Sequence, residues 1–102
     1  MKIRVDSVRD KAWWGDRPVR GLTPTEVRVL SYLMAANGSP LTRARLYRLA
    51  WGHAPNVAVA LAKSSRSINI IIYRIRQKLG AVSPVARVAL ASVKGYGYRL
   101  KA

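Results

Sequence analysis

The chain has 102 residues, 19 Lys and Arg against four acidic residues for a net charge of +15, and no cysteine. That length holds one domain with a modest core, and the missing cysteines exclude disulfides and thiolate metal sites. A chain that repels itself this strongly calls for a polyanionic partner, most often nucleic acid.

The charge is also unevenly placed. Asp6, Asp10, Asp16 and Glu26 are the only acids, so residues 27–102 combine 13 Lys and Arg with no acid at all. A solvated basic surface that merely keeps the protein soluble is the bland alternative, and an acid-free segment of this length argues against it. The N-terminus lacks the apolar core of a signal peptide and no apolar run reaches the length of a membrane span, so the expected location is cytoplasmic and no membrane partner is expected.

Residues 1–22 read as short strands. Ile3 and Val5 alternate with charged neighbours, Ala12-Trp13-Trp14 follows, and Val19 precedes Leu22. Gly15-Asp16-Arg17-Pro18 is a turn signal between the last two. The Trp13-Trp14 pair suits either a base-stacking platform or core. Large aromatics are usually core, so at least one indole is expected to cover a helix.

Thr23-Pro24-Thr25-Glu26 is a helix start: a Thr cap, a Pro at the first helical position and a Glu that completes a capping box. Val27, Leu30, Leu33 and Met34 recur on one face until Asn37-Gly38, a helix stop. Ser39-Pro40 reads as loop. Thr42 caps a second, short helix over residues 43–51 with Leu46, Leu49 and Ala50 inward, and Gly52 ends it. Residues 52–64 begin as loop and turn apolar, and their alanines can extend a helical turn into the next element.

Residues 65–79 carry the most information. At about 100° per residue Ile68, Ile72, Ile75 and Leu79 share one narrow sector, while Arg66, Ile70, Tyr73, Arg74 and Gln77 lie opposite. Such a helix would bury one face and offer Arg, Tyr and Gln to a groove. The β-branched run Ile68, Ile70, Ile71 and Ile72 favours a strand on local propensity alone, so both readings stand at this point. Arg76 lies nearer the core edge, as a structural partner. Pro84 marks a loop, Val88, Leu90 and Val93 suggest a strand, and Tyr96, Tyr98 and Leu100 suggest its return. Gly95 and Gly97 are expected to supply the positive φ of a tight hairpin.

With Leu22-Thr23-Pro24-Thr25-Glu26, Leu41-Thr42-Arg43 through Leu46 to Trp51-Gly52, Ser65-Arg66-Ser67-Ile68 through Leu79, and Ser92-Val93-Lys94-Gly95-Tyr96-Gly97-Tyr98-Arg99 in that order, the chain resembles the winged helix-turn-helix DNA-binding domain of the OmpR/PhoB response regulators. The resemblance implies a single α+β domain over residues 1–102. Its parts would be an N-terminal antiparallel sheet (1–22), three helices in a core over 23–80 and a C-terminal hairpin wing (86–101). It also implies that 65–79 is the recognition helix. By position, Arg66, Tyr73 and Ser92 match phosphate-contacting places, Asn69, Ile70 and Arg74 match base-facing places, and Lys94 matches the wing tip. Ser67 and Gln77 belong to the same phosphate and groove set. In physical terms Arg74 can pair with guanine O6 and N7, Asn69 with adenine, and Ile70 with a thymine methyl.

This chain also departs from the family pattern. Asn69 stands where Asp is usual, Ile71 where His is common, and Tyr73 where Arg or Ser is common, so base preference is not transferable. The connection over 52–64 is longer than usual, and in the family that loop is associated with RNA polymerase contact. No receiver domain precedes the sheet, which fits a free-standing small regulator or an excised domain.

The expected function is therefore sequence-specific binding of double-stranded DNA as a transcription regulator, with a head-to-tail dimer on direct repeats implied by the resemblance. The alternative is an adaptor that binds RNA polymerase or another regulator through Val57, Val59 and Leu61, since a charge-free segment on a basic protein needs a covering surface. RNA is disfavoured because an A-form major groove is too narrow for a helix. Enzymatic chemistry is not expected. His53 is the only histidine and has no acid near it in sequence, and although Asp10 and Asp16 can meet on folding, nothing is spaced as metal ligands or as an acid–base pair. No cofactor and no metal is implied.

Overall fold

Two small antiparallel sheets flank a helical core. The computed structural model describes the backbone of residues 2–51 and 57–101, and the side chains of residues 2–50 and 67–101. The expected helix stop at Gly52 and the lone His53 lie outside the described residues.

The first sheet joins β1 (Ile3–Asp6), β2 (Lys11–Trp14) and β3 (Arg17–Pro18) in that order. β1 and β2 pair through Ile3↔Trp14 and Val5↔Ala12, which places Ile3, Ala12 and Trp14 on the buried face. Trp14 is thus core, while Trp13 is half-buried with the Arg4 guanidinium 5.1 Å from its ring centre. The turn before β3 is tighter than the sequence suggests. Trp14 pairs with Arg17, so only Gly15 (φ 61°) and Asp16 turn the chain, and Arg17-Pro18 already belong to the strand. Pro18 is tolerated there because β3 is the outer strand, where a missing N–H costs no ladder bond.

Helix α1 (Pro24–Ala35) starts as the sequence requires. Thr23 Oγ1 accepts the Glu26 N–H at 3.2 Å, and the Glu26 carboxylate accepts the Thr23 N–H at 3.0 Å. Val27, Val29, Leu30 and Leu33 are fully buried, and the helix gives way to Asn37 (φ 57°) and Gly38 (φ 90°). Helix α2 (Arg43–Trp51) begins where Thr42 Oγ1 accepts the Arg45 N–H at 3.1 Å. Arg28 Nη1 of α1 donates to the Ala50 carbonyl at 2.6 Å, tying down an orphan acceptor in the last turn of α2.

Helix α3 (Val57–Val82) is longer at both ends than the segment 65–79 expected from the sequence. The conflict between β-propensity and helical periodicity is resolved by burial. Helix propensity disfavours an Ile by at most about 0.7 kcal/mol. Ile68, Ile72, Ile75 and Leu79 are each 0% exposed, and burial contributes about 1.5–3 kcal/mol per side chain. Packing outweighs propensity several-fold.

Pro84 is not in a loop. Ser83 caps a fourth helix, α4 (Pro84–Ala89), by accepting the Val85 N–H at 3.2 Å, and Pro84 occupies its first turn. The described residues therefore contain four helices rather than the expected three. Val88, expected in a strand, lies on α4 and is exposed.

The second sheet has the order β4-β6-β5, formed by β4 (Leu41–Thr42), β6 (Gly97–Leu100) and β5 (Leu90–Val93). The hairpin thus starts at residue 90, later than the expected 86. Its tip is Lys94-Gly95-Tyr96, closed by the Tyr96 N–H donating to the Val93 carbonyl at 2.9 Å. Of the two glycines expected to need positive φ, only Gly95 (φ 72°) has it. Gly97 is required for a different reason: a β-carbon there would stand 2.0 Å from the Leu41 carbonyl oxygen. The absent side chain lets β4 pair with the wing.

Candidate nucleic-acid interface

The stripe that buries α3 leaves a continuous exposed face on its other side. Asn69, Ile70, Tyr73, Arg74 and Gln77 are all exposed, with Ile70 at 45% and Tyr73 at 59%. Two large apolar groups held in water on an otherwise basic face suit contact with bases, sugars or methyl groups. Gln77 Nε2 donates to the Tyr73 hydroxyl at 2.7 Å, one helical turn apart, so these two side chains form a pair. Ser67 is half-buried at the start of this face. Arg66 lies on α3, but its side chain is outside the described residues, as are those of Val57, Val59 and Leu61, the residues of the expected partner surface.

The wing stands beside this face. Lys94 and Ser92 are exposed, Lys94 at the hairpin tip and Ser92 on β5. Arg76 holds the hairpin to α3: its Nε donates to the Leu90 carbonyl and its Nη2 to Ser92 Oγ, both at 2.9 Å. Arg76 is thus the structural partner that its place at the core edge suggests. Ser92, assigned to phosphate contact, uses its oxygen within the protein as well.

A second junction joins three elements. The Tyr98 ring of β6 meets two guanidiniums, Arg43 of α2 at 5.3 Å and Arg76 of α3 at 5.4 Å from its centre. The Tyr98 hydroxyl donates to Asn69 Oδ1 at 2.5 Å, and Arg43 Nε donates to the same oxygen at 2.9 Å. The ring is 6% exposed, so these contacts are largely shielded from water. Arg43 and Tyr98 escaped the sequence reading as site residues. Their partner Asn69 is 26 and 29 residues away, and no local spacing reports such a pairing.

The electrostatics of the face are one-sided. The two ion pairs among the described residues are Arg9–Asp6 and Lys78–Glu26. No side-chain carboxylate therefore lies within ion-pair distance of Arg43, Arg74, Arg76 or Lys94. Glu26, fully buried, takes the Lys78 ammonium at 2.5 Å while its same oxygen serves the α1 cap. Glu26 is thus turned inward and neutralised. Asp6 accepts the N–H groups of Val8 and Arg9 in the β1–β2 turn. Among the described residues, no helix is long and apolar enough to cross a membrane.

Residues 16–100 match the family model for "Transcriptional regulatory protein, C terminal". The chain is 34% identical over 86 residues to transcriptional regulatory protein CseB of Streptomyces coelicolor, covering 84% of this chain and 31% of that protein. It is 37% identical over 79 residues to AfsQ1 of the same organism, covering 78% and 32%. To BasR of Escherichia coli it is 31% identical over 96 residues, covering 92% and 36%. The chain thus spans about a third of the length of these curated relatives. In fold it is similar to the DNA-binding domain of response regulator AdeR, solved in complex with an intercistronic region. The TM-score is 0.77 at 21% identity, covering 99% of this chain and 95% of that one. It is also similar to the Klebsiella pneumoniae RstA DNA-binding domain, solved in complex with the RstA box, with a TM-score of 0.71 at 22% identity, covering 99% and 92%.

Proposed function

The chain belongs to the OmpR/PhoB-type family of transcriptional regulatory C-terminal domains, and from that premise we propose that it binds double-stranded DNA sequence-specifically as a transcription regulator. The observation that carries this reading is the exposed face of α3, where Ile70, Tyr73, Arg74 and Gln77 stand over a fully buried Ile and Leu stripe with no carboxylate paired to Arg74. A rigidly seated helix with a basic and apolar outer face fits the B-form major groove, and a basic hairpin beside it fits the adjoining minor groove. Two proteins of the same fold were solved with targets of this kind, an intercistronic region and the RstA box.

In this arrangement Arg74 reads guanine O6 and N7, Ile70 meets a thymine methyl, and Asn69 faces a base edge. Arg66, Ser67, Tyr73, Gln77 and Ser92 seat the helix on phosphates, and Lys94 enters the minor groove. Binding to direct repeats as a head-to-tail dimer, and contact with RNA polymerase through residues 52–64, extend the same reading by family resemblance.

Selection of bound duplexes from random DNA, repeated at two salt concentrations, tests it. A single enriched motif is expected. If about six phosphates are neutralised, log affinity should fall against log salt with a slope of about −5. Enrichment of no motif at either salt refutes sequence-specific recognition and turns the assignment toward non-specific binding or an adaptor.

A further inference from the structure

A side-chain amide reads adenine in the major groove with both of its ends, accepting from N6–H and donating to N7. Asn69 has one of those ends occupied by its own protein. Oδ1 accepts from Arg43 Nε at 2.9 Å and from the Tyr98 hydroxyl at 2.5 Å. A carbonyl oxygen has two lone pairs, and both are taken. Arg43 is a donor and never an acceptor, which fixes the amide with its oxygen toward the cluster and its Nδ2 away from it. Among the described residues no group accepts from Nδ2, and Asn69 is exposed on the outer face of α3.

The two donors are themselves held in place. The Tyr98 ring is 6% exposed and is met by the guanidiniums of Arg43 and Arg76, and Arg76 is pinned by the Leu90 carbonyl and Ser92 Oγ. Turning the amide over would place its NH2 against the Arg43 N–H, two donors facing each other beside a buried ring. Releasing Oδ1 would leave the Tyr98 hydroxyl, in a largely buried site, without this acceptor.

We infer that Asn69 is a donor-only reader: toward a duplex it offers N–H groups and no acceptor. It therefore takes bases that present an acceptor in the major groove, namely guanine N7 or O6, adenine N7 or thymine O4. It disfavours cytosine, whose polar group there is the N4 amine. The inference rests on the placement of α3 in the major groove proposed above. It makes Arg43 and Tyr98 positioning residues for specificity although neither need touch a base.

Asn69→Asp separates the possibilities, because it keeps the oxygen that Arg43 and Tyr98 bind and replaces the donor end by an acceptor. Bound duplexes are selected from random DNA with the wild type, with Asn69→Asp and with Tyr98→Phe, each confirmed as folded by a cooperative thermal melt. The wild-type motif should exclude cytosine at one position. Asn69→Asp should enrich cytosine at that position by about 5-fold or more, the lower end of a discriminating base contact, and leave the other positions unchanged. Tyr98→Phe removes one donor from Oδ1 and should shift the same position toward adenine. A motif unchanged by either substitution overturns the inference. So does a wild-type motif that already demands adenine alone where Asn69→Asp alters it, since the amide would then be reading with both ends. Enrichment of no motif by the wild type is a different result: it removes sequence-specific recognition itself, and this inference with it.

Discussion

Arg76 and Arg74 lie two residues apart on one helix, yet the structure gives them separate work, and Arg76→Met tests the separation. Methionine keeps most of the unbranched stem and removes the guanidinium. The bond to the Leu90 carbonyl, on a residue 1% exposed, is a charged hydrogen bond in a partly buried place and contributes about 1.5–3 kcal/mol. The bond to Ser92 is exposed and water replaces most of it. The contact with the Tyr98 ring adds about 0.5–1 kcal/mol. The sum is a loss of about 2–4 kcal/mol, a large share of the roughly 5–15 kcal/mol that holds a domain together, and a fall in melting temperature of roughly 10–20 °C. Urea denaturation measures the first quantity. Fluorescence anisotropy on the selected duplex and on single-mismatch duplexes measures the rest. Arg76→Met should bind all of these duplexes more weakly by a common factor, because it loosens the wing and leaves the reading face intact. Arg74→Met, on a solvated face, should keep its stability within about 0.5 kcal/mol and lose discrimination at one position. A fully stable Arg76→Met that changes the mismatch ratios would refute this division, since Arg76 would then be touching bases.

Three further substitutions probe the frame. Lys78→Met leaves Glu26, 0% exposed, as an unpaired buried carboxylate and should cost about 3–5 kcal/mol by denaturant titration; pairing it with Glu26→Gln should restore most of the loss. Gly97→Ala places a β-carbon 2.0 Å from the Leu41 carbonyl oxygen and should cost about 3 kcal/mol or more by separating β4 from β6. Gly95→Ala meets nothing within 4 Å and, at φ 72°, should cost only the left-handed penalty of about 1–2 kcal/mol; equal losses at the two sites would contradict the distinction. Lys94→Ala should weaken binding to every sequence alike and reduce the salt slope by about 1, read from affinities at several salt concentrations.

What the sequence discloses about this molecule follows the range of the interactions concerned. The starts of α1 and α2 are legible because a cap and its amides lie within three residues. The buried stripe of α3 is legible because four apolar residues recur at one period. β4 is not, since two residues make a strand only by pairing with Tyr98 and Gly97, more than fifty positions away. α4 was hidden by its proline: Pro84 suggests a loop until Ser83 is seen as its cap. The N-terminal turns of α3 are legible in part, since the alanines of residues 52–64 suggest a helical turn running into the next element, while the start at Val57 is hidden by the loop-like beginning at residue 52. On the candidate interface, the exposed residues of α3 were legible from periodicity. The engagement of Asn69 by Arg43 and Tyr98 was not, because it is assembled from three elements distant in sequence.

The clasp around Tyr98 has one more consequence. With β6 joined to both α2 and α3 at a single ring, the distance from the outer face of α3 to the tip at Lys94 is a property of the protein rather than of its target. On the proposed duplex, each base pair inserted between the bases met by α3 and the phosphates met by the wing displaces them by about 3.4 Å and about 35°. A loosely hinged wing would follow such a displacement. This one acts as a gauge of fixed length: after a single insertion it should meet, at the same reach from α3, the phosphate that has moved into place, so an operator altered in that way should keep its affinity as long as every base under α3 is unchanged.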